Sequence, residues 1–171
     1  ALGRLVLFGF SLALSVLTIE IASRFLFLQW APIGGDRIFW DYDETLGRSH
    51  RPGQRGRSES ADLSVAVAIN SAVLPAPEYS LKRVPGKKRM LLLGDSLTWG
   101  FGVEQNESFG EVLEQRHPDW EIINGGVSGY GTDQEYLYYT TQGAAYKPDV
   151  VLTLFSGNDP ENSFHPVQYW H

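Results

Sequence analysis

From Leu5 to Ile19 the chain reads LVLFGFSLALSVLTI, fifteen residues without a charge, and beyond Glu20 and Arg24 the apolar run continues to Leu28. A helix over residues 5–28 would be roughly 36 Å long at about 1.5 Å per residue, against a hydrocarbon thickness of about 30 Å. The pattern predicts one membrane-spanning helix. A retained anchor, a cleaved signal peptide and an interfacial helix are the three readings of such a run, and the only small residues at its end, Ala22-Ser23, are flanked by charge, which favours the anchor. Glu20 and Arg24, four residues apart, either neutralise each other near the interface or contact another membrane helix. Trp30, Phe39, Trp40 and Tyr42 follow as an aromatic cluster of the kind that sits at headgroup level. Arg4 precedes the span, and Arg24 and Arg37 follow it, so charge alone leaves the orientation open.

Further along, Gly47, Pro52, Gly53 and Gly56 predict a loop-like stretch, and Leu63–Asn70 then alternates at period two, which predicts one strand ended by Pro75 and Pro77. Arg89–Gly94 is a short continuous apolar run closed by glycine, the pattern of a central strand buried on both faces. After a loop over 95–107, Ser108 opens a capping box with Glu111, and Phe109, Val112 and Leu113 share a helix face. Trp120–Asn124 reads as a second strand, Thr132 with Glu135 caps a helix running to about Tyr146, and Asp149–Phe155 reads as a third strand. This βαβαβ alternation requires parallel strands with right-handed crossovers, an open α/β sheet. Sites in such sheets lie beyond the carboxyl ends of the strands. Three strands leave one side of the third as an edge to be covered.

Of 171 residues, 43% are apolar and 13% aromatic, enough for one folded core and too many for intrinsic disorder. There is no cysteine, which excludes a disulfide framework, a thiol nucleophile and a Cys-based metal site. The net charge of −6 is unevenly spread: residues 1–89 hold twelve basic and eight acidic side chains, residues 90–171 two and twelve. A nucleic-acid-binding C-terminal half is thereby excluded. Nine of the fourteen basic residues fall in 41–89, a connector that either touches anionic lipid or is a solvated linker offsetting the acidic domain. The chain divides into an anchor (1–30), a basic juxtamembrane connector with one strand (31–88), and an α/β domain (89–171).

Small polar clusters stand at all three strand ends: Gly94-Asp95-Ser96-Leu97, Asn124-Gly125-Gly126-Val127-Ser128-Gly129 and Ser156-Gly157-Asn158-Asp159. Each alone reads as a turn. In this order, each at a strand end, they resemble the SGNH or GDSL hydrolase family over roughly residues 64–164. The resemblance implies a partial flavodoxin-like, three-layer parallel sheet. It also implies Ser96 as nucleophile, with the Ser96 and Gly129 amides and the Asn158 side chain as an oxyanion hole. Acyl transfer needs such a hydroxyl at an exposed turn and donors aimed at the developing oxyanion. The family's last block, Asp-x-x-His, is absent: the residues three before His50, His117, His165 and His171 are Gly47, Glu114, Asn162 and Gln168. Glu114 and His117 read as helix-surface residues. Relatives with this layout also tend to carry Gly and Arg soon after Asn-Ser, where this chain has Ala72, Val73, Leu74 and Pro75 after Asn70-Ser71.

The chain begins at Ala1 and stops before the missing block, so it reads either as part of a longer enzyme or as a shortened relative covered by partners. The expected function is a membrane-anchored ester hydrolase domain acting on an ester or O-acetyl group, inactive as this chain alone. It would sit outside a bacterial cytoplasmic membrane, with the lipid bilayer, a small ester and other integral-membrane subunits through residues 5–28 as its partners. The alternative is a non-catalytic accessory subunit of a membrane complex. A nucleotide-binding domain is disfavoured, because Gly94-Asp95-Ser96 lacks both the Gly-x-Gly-x-x-Gly fingerprint and a phosphate-loop lysine. No cofactor and no metal are implied.

Overall fold

The computed structural model of the chain describes residues 2–27, 38–59 and 63–164. Helix α1 spans Leu2–Phe27, 26 residues or about 39 Å, and from Val6 to Ala22 every described side chain is exposed. An apolar helix with no protein packed on any face is long and apolar enough to cross a bilayer. Two of its hydroxyls bond within the helix, Ser15 on the Ser11 carbonyl at 2.9 Å and Thr18 on that of Leu14 at 2.8 Å. The pairing expected of Glu20 rests on the Arg24 side chain, which lies outside the described residues, as does Trp30.

The connector is more structured than its sequence suggests. Strand β1 (Trp40–Asp41) pairs antiparallel with β2 (Ser49–His50), and β3 (Arg55–Glu59) with β4 (Ser64–Ala68). Only β4 carries the period-two signal. The segment read as a loop contains β2 and the start of β3, whose RGRSE sequence has no apolar alternation and becomes a strand by pairing with β4. The expectations of a solvated linker and of headgroup-level aromatics are corrected together. Phe39, Trp40, Leu46 and Leu74 are buried in one cluster with Leu91, Leu93, Trp99 and Ile123, because burying them against the sheet removes their apolar surface from water. Of the described members of that aromatic group, Tyr42 is exposed.

The turn after Asn70 packs without the glycine expected there. The Asn70 Oδ1 accepts from the amides of Ala72 and Leu74 at 2.9 and 3.0 Å. Val73 then takes a φ of 59°, a left-handed conformation that is rare for a β-branched residue, and delivers Leu74 to the core.

The domain's sheet has the order β6-β5-β7, all parallel, with β5 (Lys88–Leu93) between β6 (Trp120–Asn124) and β7 (Val150–Thr153). Met90 lies opposite both Ile122 and Val150. Leu91, Leu92 and Leu93 are buried, as the continuous apolar run requires. Helix α3 (Phe109–Arg116) joins β5 to β6, and α4 (Thr132–Thr141) joins β6 to β7. Two details of the helices differ from the sequence reading. Ser108 does stand at the N-cap of α3, but its side chain makes no capping bond. The cap of α4 is Gly131, whose amide donates to the Gln134 side chain at 3.0 Å. That helix stops at Thr141, and the segment up to Tyr146 continues as a 3₁₀ turn, Gly143–Tyr146. β7 is shorter than expected and forms one edge of the sheet, with all four residues exposed.

Candidate active site

The turn after β5 is built by Gly94 and Asp95. Gly94 has a φ of +156°, and a Cβ there would lie 2.0 Å from the Thr98 hydroxyl, so only glycine lets the chain turn this tightly into α2 (Ser96–Trp99). Asp95 is buried and caps α2, its Oδ1 accepting from the Leu97 amide at 2.9 Å. Ser96 is thereby the first residue of the helix. The residue is half-buried, and its N–H belongs to the first-turn donors that have no partner within a helix.

The other two strand-end loops are bonded directly to this turn. Val127 donates its amide to the Gly94 carbonyl at 3.0 Å, and the Asn124 side-chain amide donates to the Thr98 carbonyl at 2.8 Å. The Asn158 amide nitrogen donates to the Asp95 Oδ2 at 3.0 Å. A carboxylate only accepts, so this bond fixes which end of the Asn158 amide is nitrogen and leaves its second N–H for another acceptor. Gly129, half-buried with φ +85°, ends the second loop in a conformation suited to glycine. All three sequence-predicted site residues thus stand on loops at the carboxyl edge of the sheet, and Asp95 ties two of those loops together. Its role was legible only as far as an acidic residue before a short helix signals an N-cap.

Neither described histidine reaches this edge as a base. His117 caps the far end of α3, beside the start of β6. His50 is buried and stacked on Trp40, with ring centroids 4.5 Å apart, and lies 5.4 Å from Trp99 of α2. Its Nδ1 lies 2.9 Å from the Val73 carbonyl, which can only accept, so the proton is on Nδ1 and Nε2 is a buried acceptor without a partner. Burial, with the nearby charge of Arg48, holds this imidazole down to about 3, too low for a general base near neutral pH. His165 and His171 lie outside the described residues.

The sequence reading missed two acids behind the site. Glu135 on α4 and Asp159 at the start of α5 (Asp159–Phe164) are buried, and both Glu135 oxygens and the Asp159 Oδ1 lack a hydrogen-bond partner. Burial, then the charges of Asp159 and Asp95, push the Glu135 carboxyl up to about 7. Burial likewise raises Asp159, against the bond it accepts from the Ser156 amide.

These groups set an expected pH dependence of stability. The unfolded chain protonates His50 near 6.5 and the folded protein near about 3, so acidification below 6.5 favours unfolding. Glu135 acts in the opposite sense, since the unfolded chain loses its proton near 4.5 and the folded protein near about 7. Between 4.5 and 6.5 the unfolded chain therefore holds one proton more on His50 and one fewer on Glu135, and the slopes offset each other. Asp159, raised by burial, acts in the same sense as Glu135. Chemical denaturation should find stability nearly level from pH 5 to 6.5 in the native protein. In Glu135→Gln it should rise with pH by about 1.4 kcal/mol per unit.

Residues 92–170 match the sequence model of the GDSL-like lipase/acylhydrolase family. Among solved structures, AlinE4, an SGNH-hydrolase family esterase, shares 28% identity over 50% of this chain and 49% of its own, with a TM-score of 0.40. A mutant of the same esterase shares 29% identity over 45% of this chain and 44% of its own, with a TM-score of 0.39. The chain spans about half the length of these solved proteins. No curated protein matches it. Nothing in these matches supports an accessory subunit.

Proposed function

We propose, from the match of residues 92–170 to the GDSL-like lipase/acylhydrolase family, that this chain carries the nucleophile half of a serine ester hydrolase tethered to a bilayer by α1. Ser96 attacks the ester carbonyl. The Ser96 and Gly129 N–H groups and the free N–H of Asn158 receive the negative charge that develops on the carbonyl oxygen. The 3.0 Å bond from Asn158 to Asp95 carries this reading, because it holds a neutral donor beside the nucleophile turn with one N–H still available. Asp95 acts as the positioning group, capping the helix that presents Ser96 and orienting the amide opposite.

Among the described residues no histidine stands as a base at Ser96, so the chain should hydrolyse a short chromogenic ester such as p-nitrophenyl acetate only slowly. Added imidazole supplies a soluble base, so turnover in excess of the protein-free imidazole blank should rise with imidazole in the native chain and vanish in Ser96→Ala. Asn158→Ala should lower the imidazole-dependent rate about 100-fold, the usual cost of one oxyanion donor. Equal imidazole-dependent rates in the native chain and Ser96→Ala would overturn the assignment.

A further inference from the structure

Acyl transfer at Ser96 needs a fixed spacing between two parts, the nucleophile helix α2 and the second loop, which ends in Gly129. Neither part holds its own position. Helix α2 is four residues long, well short of the roughly twelve that an isolated helix needs. The second loop has no regular structure, and three of the five residues from Gly125 to Gly129 are glycine. Oxyanion donors must stand about 2.7–3.1 Å from the oxygen they stabilise, and a misplacement of about 1 Å can cost about 100-fold in rate. Contacts from outside therefore set the geometry.

The connector supplies one contact to each part, from the same stretch of backbone. On one side the His50 ring stacks on Trp40 and lies 5.4 Å from Trp99, and Trp40 meets Trp99 edge to face at 5.2 Å. Trp99 is buried and is the last residue of α2, the helix that begins at Ser96. On the other side the Tyr130 phenol donates to the Arg48 carbonyl at 2.9 Å. Tyr130 follows Gly129 directly and is 1% exposed, and its own carbonyl accepts from the Asn162 side chain at 3.1 Å. Between Arg48 and His50, Ser49 is held in register by pairing with Asp41. One short piece of connector thus reaches from the nucleophile helix to the oxyanion loop.

We propose that residues 48–50 clamp the acyl-transfer site from behind, His50 positioning Ser96 through Trp99 and the Arg48 carbonyl positioning the Gly129 N–H through Tyr130. His50 and Tyr130 are positioning residues, and the connector that follows α1 is a working part of the site. The effect on turnover rests on Ser96 being the nucleophile, whereas the clamp itself does not.

The test compares variants of the full chain in detergent micelles. Imidazole-dependent turnover of p-nitrophenyl acetate above the protein-free blank is split into kcat and KM, urea unfolding gives stability, and hydrogen exchange is followed at the Val127 amide, which bonds the second loop to Gly94. Tyr130→Phe removes one hydroxyl and should lower kcat about tenfold with KM unchanged, because the displaced donor acts only in the transition state. Exchange at Val127 should speed about fivefold, the usual effect of losing one hydrogen bond. His50→Ala should lower kcat by at least as much. His50→Phe keeps a flat ring beside the two tryptophans and loses the bond to the Val73 carbonyl, so it should keep the native kcat at reduced stability. Ile122→Ala empties a buried site under α3, where Ile122 faces Gly110, and should likewise lower stability and leave kcat unchanged. Native kcat or native exchange in Tyr130→Phe would overturn the proposal, whether or not His50→Ala folds. Equal losses of kcat in His50→Phe and His50→Ala, or a similar loss in Ile122→Ala, would overturn it too. If Ser96→Ala matches the native chain, the esterase reading falls, and Val127 exchange in Tyr130→Phe alone decides the clamp.

Discussion

Gly126→Ala is expected to destabilise the domain by about 3 kcal/mol and to abolish imidazole-dependent ester turnover. A Cβ at this position would lie 2.3 Å from the Trp99 amide nitrogen and 2.6 Å from the Thr98 carbonyl carbon. Both atoms are backbone of α2, so no rotamer change relieves the clash. The helix cannot retreat either, because Asp95 caps its start and the Asn124 side chain holds the Thr98 carbonyl. A methyl group there must push the second loop away from the nucleophile turn, separating Gly129 from Ser96. Gly157→Ala is the matched control. That residue stands in the third loop with nothing within 4 Å of its Cβ position and no left-handed φ, and the substitution should change stability by less than about 0.5 kcal/mol. Urea unfolding of both variants, with turnover measured beside it, checks the pair. A Gly126→Ala protein of native stability and rate would show that the loops are not locked together.

Arg89→Met is expected to cost about 3–5 kcal/mol, because it leaves a half of an ion pair behind. Arg89, the second residue of the central strand, is 1% exposed. Its Nε donates to the Glu121 carboxylate at 2.7 Å, and its two terminal nitrogens donate to the carbonyls of Tyr146 at 2.6 Å, Ser80 at 2.9 Å and Lys82 at 3.3 Å. One guanidinium thus ties the connector, β6 and the turn before β7 to β5. Methionine preserves the volume and removes every donor. Adding Glu121→Leu removes the stranded carboxylate, so the double variant should recover about half of the loss, a non-additivity expected of direct partners. Arg89→Lys should not rescue, since one ammonium cannot reproduce a planar fork bonded to several acceptors at once. Denaturant midpoints of these three variants and of Glu121→Leu alone decide it, and additive losses would mean that Glu121 is not the partner that matters.

The sequence by itself determined the elements whose cause is local. A run of apolar residues longer than a bilayer is thick can only make a helix such as α1. Continuous burial at Leu91–Leu93 marks a central strand, and helices between strands force a parallel sheet with its site at the carboxyl edge. The placement of Ser96, Gly129 and Asn158 at that edge was legible for that reason, and because their neighbours form ordered motifs. The connector was not. RGRSE at 55–59 has no apolar alternation, and only pairing with β4 makes it a strand. Phe39 and Trp40 look alike on paper whether they face lipid headgroups or a protein core, and the core cluster with Leu91 and Trp99 decided between the two.

The polar interior was equally out of reach of the linear pattern. Arg89, Glu135 and Asp159 are residue types usually found at the surface, His50 is of a type with no fixed preference, and nothing in their neighbours along the chain marks them as buried. Their positions follow from which strands and helices meet: β5 between β6 and β7, α4 over the edge strand, β2 behind α2. Asp95 shows the division within one residue. As a helix cap it is dictated by its place before Ser96, a local effect within two residues. As the acceptor that orients Asn158, 63 positions away, it exists only because β5 and β7 are neighbours in the sheet, and adjacency of strands is a property of the folded chain.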